Sequence, residues 1–283
     1  TDTVTDQGGT DGMTFENLTN TNLKLVLGSP DTITAKEGIT FDQGTTTATV
    51  SFTNIENLYL QDSVGGASDK LAVPLSGSGT NAIIAGTSAG DTITLASATY
   101  DYSVIWGQGG ADTITGGSGG DTIYGGAGAD TITPNAGQDR IYLGTAGDID
   151  KIIFEDDGNF EAGGAATNTK HDMVYEFETG VDKLQFSLGD FNGLSVATNT
   201  PSYGSLKDGD SIVVDADADH WAGAPAAGHE NQRLLYDNSS GELFYDADGD
   251  GVTLSPILIA QIFSDNAGTL AVELATGDIN IVT

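Results

Sequence analysis

The chain has 283 residues, and 41 Asp and Glu against nine Lys and Arg leave a formal charge of −32. Such acidity makes nucleic acid and anionic membrane surfaces poor partners, and with only 38% hydrophobic residues it opposes unaided collapse. The absence of cysteine excludes disulfides and thiolate metal sites. No apolar run reaches membrane-spanning length, the acidic start is not that of a signal peptide, and Thr1 in place of Met is expected of a piece of a longer protein.

Residues 1–85 are rich in Thr, Asn and Gly, with short β-type runs and no helical periodicity. Leu23–Leu27, Thr49–Phe52 and Leu58–Leu60 read as strands. Phe15-Glu16-Asn17-Leu18 recurs as Ile55-Glu56-Asn57-Leu58, and each copy precedes a Gly-containing turn with Asp and an apolar residue. The region is predicted to form irregular β-coils that feed into the regular units downstream, with a separate sandwich as the competing arrangement.

From Gly107 the pattern becomes strict: GQGGADTIT, GGSGGDTIY and GGAGADTIT are consecutive nine-residue units. Glycines permit positive φ and close approach of backbone to an ion, and the Asp of each unit offers a hard carboxylate oxygen of the type Ca²⁺ prefers. The next three residues form a short strand whose central Ile points opposite to its neighbours. One such strand cannot bury its Ile, so the units must stack, two to a coil, as an array. Gly86–Thr94 is a leading copy, and Asp101 falls where the next turn is expected. Downstream, Asp139-Arg140-Ile141-Tyr142 keeps the Asp and the apolar position, while Pro134-Asn135 replaces the glycine pair. Because turns alternate sides, Asp91, Asp112 and Asp130 are predicted to line one edge, followed by Asp148 or Asp150. Asp101, Asp121 and Asp139 are predicted to line the other.

Beyond residue 157 the composition changes. Asp172–Phe177 and Asp182–Phe186 alternate as strands, and Ser211–Val214 follows as another. Leu234–Tyr236 and Glu242–Tyr245 flank a turn as a hairpin, and Pro256–Phe263 is a buried apolar run. Asp246, Asp248 and Asp250 have the spacing that opens an EF-hand loop, with Gly251 at position six. Ile257 stands where the bidentate Glu belongs, which leaves a calcium-binding turn or a plain acidic hairpin tip.

The units from Gly107 to Thr133 resemble the calcium-binding nonapeptide repeats of RTX proteins, and Leu234–Gly249 is similar to the segment after the repeats in many of them. The resemblance implies an all-β fold: a calcium-stapled, right-handed parallel β-roll at residues 86–156. It would be preceded by irregular β-coils at 1–85 and followed at 157–283 by a β-rich cap carrying a type I secretion signal. It also implies several calcium ions as the cofactor, held between turns of successive coils. The ligands would come from Asp91, Asp101, Asp112, Asp121, Asp130, Asp139 and Asp148. Backbone at Gly107, Gly109, Gly110, Gly117, Gly119, Gly126, Gly128, Asn135 and Gly137 would complete the turns. Asp130→Ala is expected to be worse than Asp139→Ala, since Asp139 lies near the decaying end of the repeats.

Two serines, Ser88 and Ser118, sit in Gly-x-Ser-x-Gly strings that mimic a hydrolase elbow, but both occupy the variable third position of a repeat with no helix behind. His229-Glu230 opens a zinc-protease motif, yet Arg233 stands where its second His belongs. The expectation is a non-enzymatic, secreted or cell-surface bacterial protein of the S-layer or adhesin type. Its partners would be calcium, type I secretion machinery, and either further copies of itself or a cell-surface polysaccharide, with no nucleic acid and no membrane insertion. The rival is the export module of a secreted protease, lipase or polysaccharide-modifying enzyme.

Overall fold

The structure, a computed structural model, describes backbone strands from Gly12 onward. It describes side chains within residues 84–86, 88–95, 101–155, 171–187, 191, 234–245, 256–275 and 277–282. No helix occurs among the described residues. The strands form two sheets, and from Asn57 to Ser187 successive strands enter them alternately, which is the winding of a parallel β-roll. One sheet receives Leu71–Pro74, Thr92–Thr94, Thr113–Thr115, Thr131–Thr133, Lys151–Phe154 and Lys183–Ser187, all parallel. The other receives Asn57–Asp62, Ser78–Ala85, Thr99–Gly109, Thr122–Ala127, Arg140–Gly144 and Asp172–Tyr175, again all parallel.

The winding therefore extends past the span 86–156 on both sides. Strands of residues 12–85 join the same two sheets, although Thr32–Ala35, Ile39–Asp42 and Thr47–Phe52 interrupt the coils with an antiparallel meander. Asp172–Tyr175 and Lys183–Ser187 do not pair with each other; they form one more coil, each extending a different sheet. At the far end Ile257–Ile262 and Ile279–Val282 add one parallel strand to each sheet. The hairpin Leu234–Asp237 with Glu242–Tyr245 is antiparallel and pairs with Ile257–Ile262.

Register explains the core. Parallel pairing puts equivalent residues of successive coils side by side, so the repeated apolar position becomes a column. Ile93, Ile114, Ile132, Ile152, Leu184 and Ile279 form it on one sheet. Ile84, Ile105, Ile123, Ile141, Val174 and Ile262 form it on the other. Each of these side chains is at most 2% exposed, and burial of each contributes roughly 1.5–3 kcal/mol. Phe186, Phe191 and Tyr245 close the interior edge-to-face, with centroids 5.2 and 5.1 Å apart. The Tyr236 hydroxyl donates to the Val272 carbonyl at 2.8 Å, so this large side chain is buried without an orphaned polar tip.

Candidate metal centre

The turns between strands stack along the two edges of the roll, and each edge carries a ladder of buried aspartates. On the first edge the Asp91 amide donates to Asp112 Oδ1 at 2.7 Å, and the Asp112 amide to Asp130 Oδ1 at 2.8 Å. The Asp130 amide donates in turn to Asp150 Oδ1 at 2.8 Å, and that of Asp150 to Asp182 Oδ1 at 3.0 Å. On the second edge the Asp121 amide donates to Asp139 Oδ1 at 2.7 Å, and the Asp139 amide to Asp172 Oδ1 at 3.0 Å. All of these aspartates are at least nine-tenths buried. One oxygen of each acceptor thus ties adjacent coils together.

The second oxygen is the telling one. Asp112 Oδ2 and Asp130 Oδ2 are buried and accept no hydrogen bond. A buried carboxylate oxygen without a donor is costly, and a hard divalent cation satisfies it directly. The turn backbone is shaped to leave room. A Cβ at Gly107 would fall 2.2 Å from Asp112 Oδ2 and 2.4 Å from the Gly125 carbonyl oxygen, so only glycine lets these two oxygens converge. Gly128 has φ +113°, and a Cβ there would lie 2.1 Å from the Gly110 carbonyl oxygen. Gly109 is different: a Cβ there would meet nothing closer than 3.8 Å. Asn135 takes the left-handed conformation of the glycine it replaces, at φ +65°, and its amide nitrogen donates to the Gly116 carbonyl at 2.7 Å. Among the described residues no three His, Asp or Glu side chains converge on one point. The donor set at each turn is therefore carboxylate plus backbone carbonyl, which suits calcium.

Burial raises the pKa of five of the ladder carboxyls. It pushes Asp112 up to about 8, with the neighbouring Asp130 and Asp91 carboxylates adding to the effect. Burial and Asp148 raise Asp130 to about 6, and burial with Asp182, Asp130 and Asp148 raises Asp150 to about 7. Asp121 and Asp182 are raised chiefly by burial. The folded form without calcium thus binds protons more tightly than an unfolded chain with ordinary carboxyls. Its proton-linked stability is complete below about pH 4 and is lost as pH rises through 6 to 8. In chelator, the β-signal in circular dichroism should be stronger at pH 5 than at pH 8, and a pH-independent spectrum would contradict the raised values.

Several residues differ from their expected places. Asp101 is exposed and lies outside the ladder, because Thr99–Gly109 runs as one continuous strand where the spacing predicts a turn. Its register pairs Val104 with Thr122, which sets Ser103 beside Asp121. Asp150, not Asp148, continues the first edge. The turn from Leu143 to Asp150 is two residues longer than that from Pro134 to Asp139, and Asp148 instead accepts the Gly128 amide at 2.9 Å. Asp172 and Asp182 join the ladders although no glycine pair stands five and four residues before them, as Gly116-Gly117 does before Asp121. Their sequence signal is Asp followed two residues later by an apolar residue, as in Asp172-Met173-Val174 and Asp182-Lys183-Leu184. Asp246, Asp248 and Asp250 lie outside the described residues. Ser88 and Ser118 are exposed on turns.

A family model for the RTX calcium-binding nonapeptide repeat, four copies, matches residues 105–148. The chain carries an RTX calcium-binding repeat array. No curated protein sequence matches the chain. The matched RTX segment spans the turns that hold Asp112, Asp121, Asp130 and Asp139, and the unpaired second oxygens of Asp112 and Asp130, with the glycine clearances beside them, fit a cation. RTX repeats of this kind are calcium-binding units typical of secreted bacterial proteins. No helix among the described residues is long and apolar enough to cross a membrane.

Proposed function

We propose that the chain is a calcium-dependent structural and secretion domain of an extracellular bacterial surface protein, of the S-layer or adhesin type, that folds after type I export. It acts without catalysis. The observation that carries this reading is the continuity of the two sheets. They take up strands from Gly12–Phe15 through Ile279–Val282, so the described strands form one continuous scaffold. Calcium supplies positive charge and oxygen coordination along both edges. Asp112, Asp121, Asp130 and Asp139 hold the ions with turn carbonyls, and the Asp150, Asp172 and Asp182 rungs extend the same edges. Before calcium binds, the buried carboxylates repel. Two such charges about 4 Å apart at an effective dielectric of ~20 cost on the order of 4 kcal/mol. A chain kept open by that repulsion is threadable where calcium is scarce and closes where calcium is plentiful.

Among the described residues both sheets end in strands with one unpaired edge, Gly12–Phe15 and Ile279–Val282 among them, and unpaired edges template association. Further copies of the chain or a cell-surface polysaccharide are the partners this reading calls for. Electron microscopy at millimolar-order calcium should show sheets or filaments that disperse with chelator. A strictly monomeric species at every concentration would instead favour the export module of a secreted enzyme.

A further inference from the structure

The outer face of the second sheet carries a column of rings. Trp106, Tyr124, Tyr142, Tyr175 and Phe263 stack in sequence, with centroids 5.9, 4.7, 4.5 and 5.6 Å apart and interplanar angles of 8–23°. Rings inside the column spend both faces on their neighbours. Trp106 ends the column because the residue beside it on the next strand is Ala85. One face of the indole is thus left without a ring, and Trp106 is 37% exposed. Tyr102 and Gln108 lie on the same face of the same strand, both exposed. The Tyr102 hydroxyl is held by Thr122 Oγ1 at 3.1 Å, and the Gln108 amide nitrogen donates to the Gly86 carbonyl.

We propose that the open face of Trp106 is a stacking platform for one pyranose ring of a neutral glycan, flanked by Tyr102 and Gln108. Strands lie about 4.8 Å apart, so a ring placed over Ala85 continues the column at its own spacing. A pyranose offers a C–H face to the indole and a rim of hydroxyls to the phenol and amide beside it. A charge of −32 disfavours anionic glycans and nucleic acid. One exposed Trp and one exposed Tyr are also far short of the roughly 1,000 Å² that a specific protein interface buries. The inference deepens the polysaccharide partner named above, and its test is separable from calcium-driven folding.

Trp106 and Trp221 are the two tryptophans, so a Trp221→Phe protein reports Trp106 fluorescence alone. Calcium-loaded protein would be titrated with cellohexaose, maltohexaose and mannohexaose, and with polygalacturonate as the anionic control. A saturable blue shift with a neutral hexasaccharide, absent with polygalacturonate, is expected. Ala85→Phe, which fills the vacant position, should weaken that binding roughly tenfold or more while leaving the calcium-induced β-spectrum intact. No saturable shift with any neutral glycan would overturn the proposal. So would undiminished binding by a folded Ala85→Phe protein, or sedimentation showing that Trp106 is covered by a second copy of the chain.

Discussion

Asp130→Ala should raise the calcium midpoint for folding by about 100-fold. The substitution removes the acceptor for the buried Asp112 amide and the unpaired oxygen Asp130 Oδ2 together. Losing a buried charged hydrogen bond costs roughly 1.5–3 kcal/mol, and the lost ligand oxygen adds to it. Asp130 stands between Asp112 and Asp150, so coils on both sides are affected. Asp139→Ala should be comparably severe, since Asp139 is bonded to Asp121 on one side and to Asp172 on the other. The expectation that Asp139 lies near a decaying end fails because the ladder outlasts the glycine pattern. Asp101→Ala is the internal control: exposed and outside the ladder, it should change stability by no more than about 0.5 kcal/mol. Calcium titration by circular dichroism separates the three. An Asp130→Ala midpoint equal to that of the unmodified chain would contradict the ladder.

The regular coils are legible because one nine-residue period fixes three things at once. It sets a turn that favours glycine and is otherwise filled by Gln108 and Asn135 at φ +74° and +65°, a carboxylate, and an inward Ile. Where all three persist, from Gly107 to Tyr142, the core columns and the buried Asp112, Asp121, Asp130 and Asp139 fall where the spacing puts them. Where the turn chemistry changes, counting fails. Two extra residues before Asp150 move the rung away from Asp148, and the unbroken strand Thr99–Gly109 puts Ser103 where the spacing places Asp101. The Asp172 and Asp182 rungs are hidden for a different reason. Parallel register is set by the inward apolar column, and that column continues through Val174 and Leu184 after the glycines have gone. The hairpin at Leu234–Tyr245 is plain from its turn, whose Gly241 has φ +75° and sits where a Cβ would lie 2.5 Å from the Ile262 carbonyl oxygen. Its attachment to Ile257–Ile262 is a long-range pairing that no local pattern encodes.

The largest effect expected is that calcium binding and folding are a single event. Stacked carboxylates on both edges are buried, and burial lifts Asp112 to about 8 and Asp150 to about 7, so at pH 8 the calcium-free roll must carry charge that its interior resists. Several such contacts of a few kcal/mol each rival the roughly 5–15 kcal/mol by which a domain is usually stable. The free energy of ion binding therefore becomes free energy of folding. Magnesium, which keeps its waters and demands near-octahedral geometry, should not substitute. The direct test is circular dichroism with hydrodynamic radius through a calcium titration at pH 8, with magnesium as control. An expanded, weakly structured chain in chelator should contract to a β-rich form within one cooperative transition in calcium and stay expanded in magnesium. A compact β-spectrum in excess chelator, unchanged when calcium is added, would contradict it.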